Sequence, residues 1–133
     1  MIKVGHRGAR AYEPENTLQS FKRAIELGVD GVELDVRKTK DDVIVVIHDS
    51  DVKRTTNGSG QVCDLTLREI KSFSTDKNDK IPTLEEALEF LDKKVKVFVE
   101  LKETGLEEKT VSLIKKHEMK KKRCHSQFSR RRY

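Results

Sequence analysis

A parallel α/β sheet is the fold class that the sequence predicts, on three observations. Strand-like and helix-like runs recur at crossover-length spacing, and four of the strand-like runs end in ionisable residues. The third is length: 133 residues suit one domain with a single modest core and are too few for a closed eight-stranded α/β barrel, which takes about 250 residues. Hydrophobic residues make up 35% of the chain against 38% charged, a polar balance still above that of a disordered chain.

The elements follow in order. Ile2 to Val4 is a short β-prone run that stops at the loop Gly5-His6-Arg7-Gly8. Asn16 or Thr17 caps a helix whose apolar positions Leu18, Phe21, Ala24, Ile25 and Leu27 keep the helical period up to Gly28. Gly31 to Val36 alternates with the period of a strand, and Val43 to Ile47 is a β-branched run suited to burial on both sides. Asp41-Asp42 between them is too short for a helix, so a turn or a local break in the alternation of strand and helix joins the two. Arg54 to Gly60 reads as a polar loop. Thr66 then caps a short helix from Leu67 to about Phe73, with Glu69 at the capping-box position. Pro82-Thr83 opens a helix with Leu84, Ala87, Leu88 and Leu91 on one face, Val95 to Lys102 is a fourth strand, and Leu106 to Lys116 is an amphipathic helix.

Charge is distributed unevenly. Nine basic residues and one acid lie between Lys115 and Tyr133, so this tail carries +8 of a chain total of +5, leaving −3 for residues 1 to 114. The basic character belongs to the tail. Cys63 and Cys124 match neither a disulfide framework nor a zinc-ligand spacing, and no secretory leader is read at Met1 to Val4, so a cytoplasmic location is expected. No apolar run approaches the roughly 20 residues of a membrane span. The tail has the charge to bind nucleic acid, but only Phe128 and Tyr133 are aromatic there and no recognised nucleic-acid module precedes it; no nucleic-acid partner is expected.

Ligands of parallel α/β sheets gather at the carboxyl ends of the strands. There the sequence places His6 and Arg7, Glu33 and Asp35, His48 and Asp49, and Glu100 and Lys102. Members of the pairs Glu33/Asp35 and Glu100/Lys102 are two apart, so each pair projects from one strand face. Converging carboxylates repel and raise one another's pKa unless a cation holds them, and hard oxygen ligands suit Mg2+ or Ca2+. Two histidines can act as general acid and base, while Arg7 and Lys102 can bind an anion. Together these groups describe phosphoryl-transfer chemistry. Taken singly, each has an ordinary reading as a loop residue, a strand edge or a surface ion pair. Their coincidence at four strand ends favours a site.

The blocks His6-Arg7-Gly8, Pro14-Glu15-Asn16-Thr17, Glu33-Leu34-Asp35-Val36, His48-Asp49, Arg54-Thr55-Thr56-Asn57-Gly58, Ile81-Pro82-Thr83-Leu84-Glu85-Glu86 and Glu100-Leu101-Lys102 resemble, in this order, the glycerophosphodiester phosphodiesterase family. The resemblance implies a TIM-type (β/α) barrel of which about the first four of eight strands are present. It also implies hydrolysis of a small glycerophosphodiester to glycerol 3-phosphate and an alcohol. By the same resemblance His6 and His48 are the acid and base, Glu33, Asp35 and Glu100 the ligands of a divalent metal, and Arg7 and Lys102 the phosphate-binding cations. It covers residues 2 to about 116, so that 1–116 is assigned as the N-terminal half of the barrel, and leaves 117–133 as a basic, non-homologous tail.

Where the family would place a further strand of the type Asp-Val-Ile-Leu-Ser-Phe, the chain reads Arg123-Cys124-His125-Ser126-Gln127-Phe128-Ser129. Codons for this tail, read one nucleotide later, can encode such a strand, so a frameshift near codons 117 to 123 is expected. A half barrel has open edges, and self-association through them is a further expectation. The competing readings are an inactive remnant, a non-catalytic half barrel that binds phosphate and metal, and, less well matched, an inositol-lipid phospholipase of similar architecture.

Overall fold

The strand Gly31–Lys38 organises the molecule, because its two edges accept every other strand among the described residues, which in this computed structural model are residues 1–120. The elements are β1 (Val4–His6), α1 (Leu18–Glu26), β2 (Gly31–Lys38), β3 (Ile44–Val46), α2 (Leu67–Lys71), α3 (Leu84–Leu91), β4 (Lys96–Leu101) and α4 (Glu107–Lys120), with one turn of 3-10 helix at Val62–Asp64. The sequence assignment of 117–133 as a separate tail falls largely outside the described residues.

β4 pairs with β2 in parallel from Gly31↔Lys96 to Val36↔Leu101. On the opposite edge, β1 runs parallel to the start of β2, with Val4↔Gly31 and His6↔Glu33, and β3 runs antiparallel to its end, with Val36↔Val46 and Lys38↔Ile44. Backbone bonding shows that β1 and β3 share one edge. The carbonyls of Glu33 and Asp35 accept from Arg7 N and Ile47 N, whereas that of Val36 accepts from Lys102 N across the other edge. The parallel part is thus an unclosed arc of β1, β2 and β4.

The direction of β3 corrects one feature of the sequence reading, in which every strand delivered its residues from the same end of a parallel sheet. A parallel connection needs a dozen or more residues. Here Thr39 to Val43 instead form a tight turn: Thr39 N donates to Val43 O at 2.9 Å, Asp42 takes a φ of 64°, and the Thr39 hydroxyl donates to Asp41 at 2.6 Å. Because the turn reverses the chain, His48 returns to the level of Asp35 instead of leaving the sheet.

Alternation along β2 and β4 separates the two faces. Val32, Leu34 and Val36 with Val97, Val99 and Leu101 are buried on one face and share a core with Phe21 and Ala24 of α1, Leu84, Ala87, Leu88 and Leu91 of α3, and Ile114 of α4. Each fully buried aliphatic side chain of this kind contributes about 1.5–3 kcal/mol before conformational entropy is counted. A second cluster, Val45, Ile47, Val52, Val62, Ile70 and Ile81, lies beneath the excursion between β3 and α3. Ile44 and Val46 face the first cluster and Val45 the second, so β3 is buried on both sides.

Caps at Thr17, Thr66 and Thr83 set the starts of α1, α2 and α3, each through a complete capping box. α4 continues past Lys116 to Lys120, since His117 is buried and its Nε2 lies 3.3 Å from Asp92 Oδ1. No helix among the described residues is long and apolar enough to cross a membrane.

Candidate active site

The other face of the sheet carries the polar residues. Asp35 stands beside Glu100 in register, and Glu33 lies two residues before Asp35 on the same face. One carboxylate oxygen from each of these three residues lies within 4.8 Å of the other two. The Asp35 side chain is fully buried, and those of Glu33 and Glu100 are 15% and 12% exposed. The expected convergence of Glu33, Asp35 and Glu100 is present.

So many carboxylates in one desolvated place are electrostatically costly. Burial, a hydrogen bond shared with Glu100 and the charge of Asp35 push Glu33 up to about 9. Burial also raises Asp35, against a hydrogen bond from Asn16 that favours its charged form. Glu33 Oε2 and Asp35 Oδ1 are buried without a hydrogen-bond partner among the described residues. Buried carboxylate oxygens left unpaired are the donors that a hard divalent cation satisfies, so these residues fit such an ion.

His6 and Arg7 come from the end of β1. His6 Nε2 lies 3.6 Å from Glu33 Oε1, and burial with the charges of Arg7 and Arg10 holds its pKa below the usual histidine value. Arg7 adopts a φ of 56°, its N–H donates to the Glu33 carbonyl at 2.8 Å, and its Nε lies 3.5 Å from Asp35 Oδ2. The next residue, Gly8, allows this close turn: its φ is 80°, and a Cβ would fall 2.3 Å from Ser20 Oγ. Lys102 Nζ lies 3.6 Å from Glu100 Oε1.

His48 is fixed at two points. Its carbonyl accepts from Arg37 Nε at 2.9 Å, and its Nδ1 lies 2.7 Å from Asp49 Oδ1. Asp49 receives two hydrogen bonds from Arg54, at 2.8 and 3.1 Å, and Arg54 makes two more to Glu15, at 3.0 and 2.8 Å. Glu15 also accepts from Arg7 Nη1 at 3.2 Å. A continuous set of charged contacts therefore runs from His48 through Asp49, Arg54, Glu15 and Arg7 to Asp35.

The seven residues to which the family resemblance assigns roles, His6, Arg7, Glu33, Asp35, His48, Glu100 and Lys102, lie on or beside this face. Asn16, Glu15, Asp49, Arg54 and Arg37 were not given site roles, though four of them lie in the family-like blocks. Asp49 bonds its near neighbours His48 and Arg54, but Glu15 pairs with Arg54 across 39 residues and Asn16 with Asp35 across 19, so no local pattern reveals those pairings.

A sheet face that concentrates carboxylates, histidines and cations suits metal-assisted chemistry on phosphoric esters. Residues 6–132 match the model of the glycerophosphoryl diester phosphodiesterase family. A glycerophosphodiester phosphodiesterase of Caldanaerobacter subterraneus is 44% identical over 141 aligned residues, covering 96% of this chain and 58% of the relative. Among solved structures, a glycerophosphodiester phosphodiesterase of Agrobacterium tumefaciens superposes with a TM-score of 0.87 at 34% identity, covering 98% of this chain and 58% of that one. A phosphodiesterase of Oleispira antarctica, solved with its product sn-glycerol-3-phosphate, gives a TM-score of 0.85 at 31% identity, with 98% and 57% covered. The chain belongs to the glycerophosphoryl diester phosphodiesterase family. It spans about half the length of these relatives, and its unclosed sheet corresponds to part of their barrel.

Proposed function

We propose that the chain carries the metal and phosphate site of a glycerophosphodiester phosphodiesterase, which hydrolyses a small glycerophosphodiester to glycerol 3-phosphate and an alcohol. The observation that carries this reading is the three-carboxylate cluster of Glu33, Asp35 and Glu100, with two unpaired buried oxygens. A divalent cation held there, Mg2+ or Ca2+, supplies positive charge to the phosphate and lowers the cost of negative charge building up on it.

This chain's own residues do the rest. Arg7, reaching Asp35 with Nε, and Lys102, beside Glu100, border the cluster and hold the phosphate by charge-assisted hydrogen bonds. His6 and His48 flank the same stretch of β2 from the ends of β1 and β3; one removes a proton from the attacking water as its oxygen bonds to phosphorus, and the other protonates the alcohol oxygen as its bond to phosphorus breaks.

The partner is a small molecule. Cys63 is exposed and has no disulfide partner among the described residues, in accord with a reducing compartment such as the cytoplasm, where the reaction would serve glycerophospholipid metabolism. The outer edges of β1 and β4 have no strand partner among the described residues, and Ile2 and Val4 are exposed, which supports self-association through these edges.

The test is release of choline or ethanolamine from their glycerophosphodiesters by the full chain with Mg2+ or Ca2+. Turnover abolished by His6→Ala and by His48→Ala is the expected result. A folded, metal-binding chain without turnover would instead favour a non-catalytic phosphate- and metal-binding half barrel.

A further inference from the structure

We propose that Asp49, clamped by Arg54 and through it by Glu15, is a positioning residue that holds neutral His48 in the Nδ1–H tautomer and leaves Nε2 as its proton-accepting nitrogen. This rests on reading His48 as one of the acid/base pair, but its test needs no substrate.

The geometry is specific. Asp49 Oδ1 lies 2.7 Å from His48 Nδ1, and its two oxygens also accept from Arg54 Nη2 and Nε at 3.1 and 2.8 Å. Arg54 is 52% exposed, so its ion pairs add little stability by themselves. What they add is orientation, because a planar guanidinium bound through two pairs of hydrogen bonds fixes both carboxylates at once. The second carboxylate, Glu15, is only 11% exposed and is tied to Arg7 as well, so the clamp is anchored in the body of the site.

Asp49 has no proton to give. The hydrogen bonds from Arg54 hold it at about 2, far below the usual carboxylate range, so at neutral pH it can only accept. A 2.7 Å contact with an obligate acceptor requires the hydrogen to lie on His48 Nδ1. Arg37 independently fixes the backbone through the His48 carbonyl, so ring and main chain are held by different partners. An unrestrained imidazole favours the opposite, Nε2–H tautomer, which makes the assignment discriminating.

The test is two-bond 1H–15N correlation on the 15N-labelled full chain, at a pH where the imidazole is neutral. In the wild type the Nδ1–H form should exceed the Nε2–H form by more than about tenfold, the preference that one charge-assisted hydrogen bond gives. In Asp49→Asn the ratio should fall about tenfold or more, because an amide can accept or donate, while the His6 signals and the amide dispersion stay unchanged. Glu15→Gln leaves Asp49 in place but weakens its anchor, so a smaller fall of about twofold or more is expected; this variant decides the matter if Asp49→Asn does not fold. A predominantly Nε2–H wild type overturns the proposal, as does an unchanged ratio in a folded Asp49→Asn or, in its absence, in Glu15→Gln. A lack of diester turnover would count against the hydrolase reading and leave the tautomer result standing.

Discussion

The side-chain amide of Asn16 donates to Asp35 Oδ2 at 2.9 Å, and its Oδ1 accepts from the Asp35 backbone N–H at 3.4 Å. Asn16 is itself buried, with a φ of 57°, and its own N–H donates to the Arg7 carbonyl at 2.9 Å. One residue thus joins the loop before α1, the turn after β1 and the central carboxylate of β2. Asn is among the few residues that tolerate this conformation while presenting a donor and an acceptor.

Asn16→Ala should therefore lower stability by about 2–4 kcal/mol, combining left-handed strain with a buried polar group left unpaired. Asn16→Gly removes the strain and should lose less. Urea unfolding of both variants measures the split, and equal losses would show that the hydrogen bonds alone matter.

Replacing a carboxylate of the cluster by its isosteric amide separates metal binding from folding. In Glu33→Gln, Asp35→Asn or Glu100→Gln the metal-free melting temperature should stay level or rise, because repulsion is relieved. The gain on adding Mg2+ or Ca2+ should vanish; for the wild type at one hundred times Kd that gain is about 2.7 kcal/mol. Thermal scans with and without metal report both effects.

The pH dependence has a definite sign. Glu33 is raised from 4.5 to about 9, so the folded metal-free chain holds a proton that the unfolded chain releases. Its contribution to stability is complete below about 4.5 and is lost as pH rises toward about 9. Asp49 acts oppositely: lowered from 3.8 to about 2, it contributes above 3.8 and loses that contribution as pH falls through 2. The metal-induced rise in melting temperature should accordingly grow from mildly acid to alkaline pH. A flat dependence would contradict coupling of Glu33 to Asp35 and Glu100.

Lys102 tests phosphate binding more cleanly than Arg7 does, since Arg7 also holds the loop through Glu15 and a positive φ. Lys102→Met should weaken binding of sn-glycerol 3-phosphate by about 10- to 100-fold, the range for one lost charge-assisted hydrogen bond, and leave the far-ultraviolet circular dichroism unchanged. Titration calorimetry with the phosphate ester gives the ratio.

Much of this was legible in the sequence because the signals are local. Thr66 with Glu69 announces a helix start by its capping-box spacing, Pro82-Thr83 marks another, and of the two candidates Asn16 and Thr17 it is Thr17 that caps α1; the period-two spacing of Glu33 with Asp35 places both on one strand face. The direction of β3 was legible only in part: its buried β-branched run is the same whether its neighbour is parallel or antiparallel, and the sole signal is the connection through Asp41-Asp42, too short for a parallel crossover, which the structure closes as the Thr39 to Val43 turn. The first strand lies later than expected, at Val4–His6, because pairing with Gly31 to Glu33 selects those residues while the apolar Ile2 stays exposed. The clamp of Glu15 on Arg54 and the hold of Arg37 on His48 join residues brought together by the hairpin, and nothing in either neighbourhood announces the other.

The most direct measurement is calorimetric titration of sn-glycerol 3-phosphate into the full chain, with and without Mg2+ or Ca2+, in wild type and Asp35→Asn. Saturable binding that needs the metal and disappears in Asp35→Asn is the result expected of a carboxylate-held cation facing a phosphate subsite. Binding that is indifferent to metal and to Asp35→Asn, or no binding by a folded and metal-saturated wild type, would contradict it.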